Sequence, residues 1–80
     1  MNIVNNSLMP LAMVNPGGVV TVMAVNAGHG LVRRLADMGL YPGVSLRVIQ
    51  GHPGPLIIQV GASRLALGRG VASKVMVNTV

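Results

Sequence analysis

The sequence predicts a mainly β fold: a small barrel of about five short strands, with one short helix inserted after the first. Three observations carry this expectation. Apolar residues alternate with polar ones, or run continuously, in short segments of strand length. Glycine- and proline-rich turns separate those segments. One stretch, Leu31 to Met38, breaks the pattern, because Leu31, Leu35 and Met38 recur at the spacing of one helical face.

Taken in order, Met1 to Ser7 is rich in Asn and lacks periodicity, and reads as a loose leader to a domain over 8–80. Met9 to Val14 is a short apolar segment that enters the turn Asn15-Pro16-Gly17-Gly18. Val19 to Val25 is a near-continuous β-branched run, expected as a buried strand. Asn26 to Gly30 reads as a flexible loop before the helix Leu31–Met38. On the polar face of that helix, Arg33 and Asp37 stand at the i, i+4 spacing. Gly39 can take the left-handed conformation that ends a helix. Leu40 and Tyr41 then lead to Pro42, which presets φ for the first central turn position, and Gly43, which supplies positive φ for the second.

A strand starts at Val44, with Val44, Leu46 and Val48 on one face. Gly51-His52-Pro53-Gly54-Pro55 must be loop. Leu56, Ile58 and Val60 alternate in the next strand, Gly61-Ala62 makes a two-residue hairpin turn, and Ser63 to Leu67 returns. Leu65 and Leu67 are expected to face inward there, and Arg64 and Ala66 outward. Gly68 to Lys74 reads as a compact or single helical turn, and Val75 to Val80 closes the sheet. Closure removes the edges that so apolar a sheet would otherwise expose. There is one internal echo: Pro16-Gly17 precedes Val20 and Val22 much as Pro42-Gly43 precedes Leu46 and Val48, the same turn solution used twice.

Composition narrows the chemistry. The 80 residues include no Cys, Phe or Trp, and Tyr41 is the one aromatic residue. Arg33, Arg34, Arg47, Arg64, Arg69 and Lys74 face a single acid, Asp37, which leaves a net charge of +5. Such a field has two readings: an anionic partner (a nucleic acid, an acidic protein face or an anionic leaflet), or, since the basic residues are scattered along the chain, a solvated surface that keeps the protein soluble. One carboxylate side chain excludes paired acid–base work. Ser7, Ser45, Ser63 and Ser73 have no evident His–acid partner set, and Gly28-His29-Gly30 is not followed by the Lys-Ser/Thr of a phosphate loop. His29 and His52 read as structural or exposed, and the six Met as gap-filling or an adaptable binding face. No catalytic, cofactor or metal site is therefore expected. No apolar run approaches the roughly 18 residues of a membrane span. The missing basic n-region and Pro10 argue against a signal peptide, so the cytoplasm is the expected compartment.

Read together, these residues resemble the FeoA family of the ferrous-iron uptake system. The similarity runs from about Leu8 to Val77. Its most specific part is Arg34-Leu35, Met38-Gly39-Leu40 and Pro42-Gly43. Met9-Pro10-Leu11, Asn15-Pro16-Gly17, Pro55-Leu56, Gly61, Leu65-Ala66-Leu67, Ala72 and Val75-Met76-Val77 follow in order. Acids common in the family after the first Pro-Gly, in the central loop and in the last turn are replaced here by Gly18, Gly54 and Val71. The resemblance implies an SH3-like barrel, a non-enzymatic accessory role and a partner, the membrane ferrous transporter FeoB, contacted from the cytoplasmic side. Leu35, Met38, Gly39, Leu40, Pro42 and Gly43 are expected to serve the fold. The candidate partner-binding residues are Arg33, Arg34, Tyr41, His52, Pro53 and Pro55, since Arg and Tyr are enriched at interface hot spots. The rival readings are a small basic nucleic-acid-binding barrel, which lacks the aromatic stacking platform of single-strand binders, and a metal-responsive regulatory domain of the DtxR type.

Overall fold

The computed structural model describes residues 8–51 and 53–79, so the leader 1–7, His52 and Val80 lie outside the described residues. The chain runs β1 (Leu8–Pro10), a 3₁₀ turn (Leu11–Met13), β2 (Val19–Val25), α1 (His29–Asp37), β3 (Ser45–Gln50), β4 (Leu56–Val60), β5 (Ser63–Leu67), α2 (Arg69–Ala72) and β6 (Val75–Asn78). All pairings are antiparallel, in the order β1-β6-β2-β3-β4-β5.

The alternating sets point where their spacing requires. Val20 and Val22 from β2, Leu46 and Val48 from β3, and Leu56 and Ile58 from β4 are buried, and Val75 and Val77 from β6 meet them. Leu11, Leu35, Leu40 and Ala72 close this aliphatic core from the turns and helices. Among the described residues no polar or charged side chain is buried. The core therefore carries no unpaired side-chain polar atom, which would cost heavily in so small a domain.

Two features of the helix–turn segment are local chemistry made visible. At the end of α1, Gly39 adopts φ +95°. Its N–H donates to the Ala36 carbonyl at 2.9 Å, and the Leu40 N–H donates to the Leu35 carbonyl at 2.8 Å. This is the Schellman arrangement, and its usual hydrophobic contact is supplied by the buried pair Leu35 and Leu40. The next four residues form a type II turn. The Val44 N–H donates to the Tyr41 carbonyl at 3.1 Å, with Pro42 and Gly43 (φ +99°) in the centre.

The internal echo is real geometry. Asn15 to Gly18 makes the same turn, with Gly17 at φ +92° and a Gly18 N–H bond to the Asn15 carbonyl. Each turn then feeds the partner strand in the same way. The Gly17 N–H donates to Val48 and the Val48 N–H to Gly18; the Gly43 N–H donates to Val22 and the Val22 N–H to Val44. The β2–β3 ladder thus has a local two-fold centred on the Val20/Leu46 pair.

The structure corrects several boundaries. There are six strands rather than five, because Leu8–Pro10 pairs with β6; the helix consequently follows the second strand. Met9 to Val14 divides into that strand and the 3₁₀ turn. Helix α1 starts at His29 and not at Leu31: its first N–H groups need no intrahelical partner, so His29 and Gly30 enter it with little loss. Met38 is 40% exposed and lines a surface groove instead of the core. The barrel is not closed by a ladder, since no pairing joins β1 to β5 among the described residues. β1 is only three residues long and ends at Pro10, which has no N–H to donate.

Candidate functional site

The proposed contact residues fall at two places. Arg33 and Arg34 are exposed on α1, and Tyr41, 51% exposed, stands in the turn just beyond it. The rigid Schellman stop and the type II turn fix that turn relative to the helix. Pro53 and Pro55 are exposed in the β3–β4 loop; His52 lies outside the described residues. That loop leaves the far end of β3, so roughly 20 Å of strand separates it from Tyr41. The structure does not bring the two candidate surfaces together.

What it does bring together is a groove of about 180 Å³ that sequence reading missed. One wall is the α1 stripe Leu31, Arg34, Leu35 and Met38. The other is the end of β5 and the start of α2, through Ala66, Leu67, Gly68 and Val71. Arg34 is the one charged residue in these walls. The α1 stripe was legible as a helical face, but its opposite wall comes from residues about thirty positions later. Only the small residues Ala66 and Gly68 at a strand end hinted that space would be left there.

Next to that wall, in the first turn of α2, Arg69 is half-buried and spent on the fold. Its guanidinium donates to the carbonyls of Ala12 (3.1 Å) and Gly51. It ties the 3₁₀ turn to the β3–β4 loop without a carboxylate. Arg47 likewise donates to the Gly17 carbonyl at 3.2 Å, and Arg64 to the Gln59 side-chain oxygen at 3.2 Å.

Gly18 and Gly54 each sit where the backbone disfavours a side chain. A Cβ at Gly18 would meet the Val14 side chain at 3.2 Å, and Gly54 sits at φ +89°. A side chain at either place is crowded or strained.

No group of three or more His, Cys, Asp or Glu able to hold a metal occurs among the described residues. His29 is exposed at the first turn of α1. None of the described helices is long and apolar enough to cross a membrane.

The match to known proteins is close in both sequence and shape. The FeoA domain model matches residues 9–79. The chain belongs to the FeoA family. It is 43% identical over 70 residues to a Methanocaldococcus jannaschii protein assigned as Fe(2+) transport protein A, covering 88% of this chain and 85% of that one. The crystal structure of an iron uptake regulatory protein, FeoA, superposes with a TM-score of 0.82 at 39% identity, covering 89% of this chain and 95% of the other. Stenotrophomonas maltophilia FeoA complexed with zinc, described as a prokaryotic SH3 domain protein, gives a TM-score of 0.76 at 31% identity, covering 86% and 88%. The fold of this FeoA-family chain is SH3-like, as its six-stranded antiparallel sheet and short helix show.

Proposed function

We propose that this protein is a non-enzymatic accessory of ferrous-iron uptake that docks on a FeoB-like membrane transporter from the cytoplasmic side. The observation that carries the reading is the pairing of a FeoA-family barrel with an outward basic face on α1. The relatives named for iron transport and iron uptake supply the process; the geometry suggests the contact. Arg33, Arg34 and Tyr41 project from a helix and turn whose backbone is pinned by the Gly39 stop and the Pro42-Gly43 turn. A rigid platform loses little conformational entropy on binding. Arg and Tyr are also the side chains that most often dominate such contacts. A transporter's cytoplasmic surface lies next to an anionic leaflet, where each nearby Lys or Arg contributes about 1 kcal/mol. The same cations raise the encounter rate with an acidic protein face. Pro53 and Pro55, at the far end of β3, belong to a separate second candidate surface.

The test is Arg33→Glu together with Arg34→Glu. Both residues are exposed, so no packing is lost; the reversed charges near the C-terminal end of α1 and beside Asp37 should lower stability by about 1 kcal/mol. The double variant is expected to keep the native amide spectrum, to lose capture by membranes that carry the transporter, and to fail to restore ferrous-iron uptake in cells lacking the wild-type protein. A folded double variant that supports full uptake would move the contact to the Pro53–Pro55 loop.

A further inference from the structure

The sheet has two ends, and only one of them is protected. β1 is three residues long, and Pro10 removes a donor from its edge, a common way to blunt a free strand. β5 has five residues and no proline. Its ladder to β4 starts at the two-residue Gly61-Ala62 turn, which makes Val60/Ser63 a hydrogen-bonded pair. Antiparallel pairs alternate, so Ile58/Leu65 and Leu56/Leu67 are bonded as well, and Gln59/Arg64 and Ile57/Ala66 are not. The backbone N–H and C=O groups of Arg64 and Ala66 therefore face away from β4, along the open edge. Beside that edge runs the groove between β5 and α1.

We infer that this edge and groove receive an extended, acidic, aliphatic segment of a protein partner, added to β5 as a seventh strand. The backbone groups of Arg64 and Ala66 supply the main-chain bonds of strand addition, and the adjoining groove supplies the selectivity. Its apolar walls, with Leu31, Met38 and Leu67, select an aliphatic side chain. Arg34 within the wall and Arg64 on the edge strand select acids on either side of it. The chain's single acid, Asp37, is not in the lining, so nothing there offsets those cations. An extended segment has a side-chain period of two, which suits alternating aliphatic and acidic residues. This names the class of segment recognised in the docking reading above and rests on it.

The experiment titrates a fluorescein-labelled, end-blocked peptide, Glu-Val-Glu-Leu-Glu-Val-Glu, into the full chain at physiological salt. Saturable binding is expected, with amide shifts confined to Arg64–Gly68 and Leu31–Met38. Replacing every Glu of the peptide by Lys should weaken binding by at least about tenfold, the equivalent of 1.4 kcal/mol. N-methylating alternate peptide nitrogens should do the same in one of the two phases only, because one phase points its donors at β5. Ala66→Pro removes the edge donor at a place where an edge strand tolerates proline, and should weaken binding by a similar factor. Arg34→Glu, which leaves the strand intact, serves if Ala66→Pro disturbs the fold. The inference is overturned if the acidic peptide shows no saturable binding up to millimolar concentration. It is also overturned if both N-methyl phases bind as well as the parent, or if the free protein sediments as a dimer with the same amides protected, the groove being filled by a second copy. These readouts use a peptide and not the transporter. Peptide failure with intact wild-type docking therefore removes only this inference, and docking failure with peptide binding removes only the transporter reading.

Discussion

Gly39 does work that no contact records. A Cβ there would meet only the Val60 side chain, at an ordinary 3.8 Å, so space is not the constraint. The constraint is φ +95°, a region that a β-branched residue strongly disfavours. Gly39→Val should therefore destabilise the protein by about 1–2 kcal/mol or more, although no packing atom is lost. The thermal midpoint measures this directly, and a wild-type midpoint would mean that the helix ends by another route. At this scale the sequence was most informative, because a glycine after a helical stripe and a Pro-Gly pair each demand a particular backbone. Leu35 was legible from the helical stripe, whereas Leu40, buried beside it, was marked only by the family resemblance. The role of Arg69 was not legible. Its carbonyl partners, Ala12 and Gly51, lie far away in sequence, and a carbonyl leaves no side-chain signature to read.

Whole elements were legible in proportion to their own patterning. β2 and β4 could be bounded to the residue, because a β-branched run and a strict alternation state their own limits. β1 could not, since three residues are too few to show a period and its strand character comes only from pairing with β6. Helix α1 was read two residues short because Gly28-His29-Gly30 has the composition of a loop. Gly28 in fact occupies the N-cap, with φ −70° and ψ 170° and no side-chain hydrogen bond to the helix. The first turn also contains no acid, and nothing lies within 4 Å of a Cβ built at Gly28. An Asp at this position would accept a free N–H and place a negative charge at the positive end of the helix dipole. Gly28→Asp should raise stability by about 0.5 kcal/mol, visible as a small increase in thermal midpoint with an unchanged native spectrum. An unchanged or lower midpoint would show that the start of α1 is not limited by its cap.

For the molecule as a whole, the net charge of +5 favours anionic partners, but its placement decides which kind. A nucleic-acid surface gathers its cations along one track, so that several phosphates are neutralised together. Here Arg33 and Arg34 lie on α1, Arg64 on β5, and Lys74 follows α2. Arg47 and Arg69 are engaged with backbone carbonyls. Tyr41 stands alone as a ring that could stack on a base, whereas single-strand binders present several. The expected behaviour is weak binding, indifferent to base sequence, with few counterions released. A plot of log affinity against log salt should accordingly be shallow, with a slope of about −2 at most, because each phosphate neutralised contributes roughly −0.7 on a single strand. Fluorescence anisotropy with labelled single- and double-stranded oligonucleotides across a salt series provides the check. Sub-micromolar affinity at physiological salt, or a steep slope, would mean that the scattered cations converge on one phosphate track, and the nucleic-acid reading would then displace the transporter. The shallow slope is expected because Arg47, Arg64 and Arg69 already donate hydrogen bonds within the fold, which leaves three of the six cations, Arg33, Arg34 and Lys74, to meet phosphates.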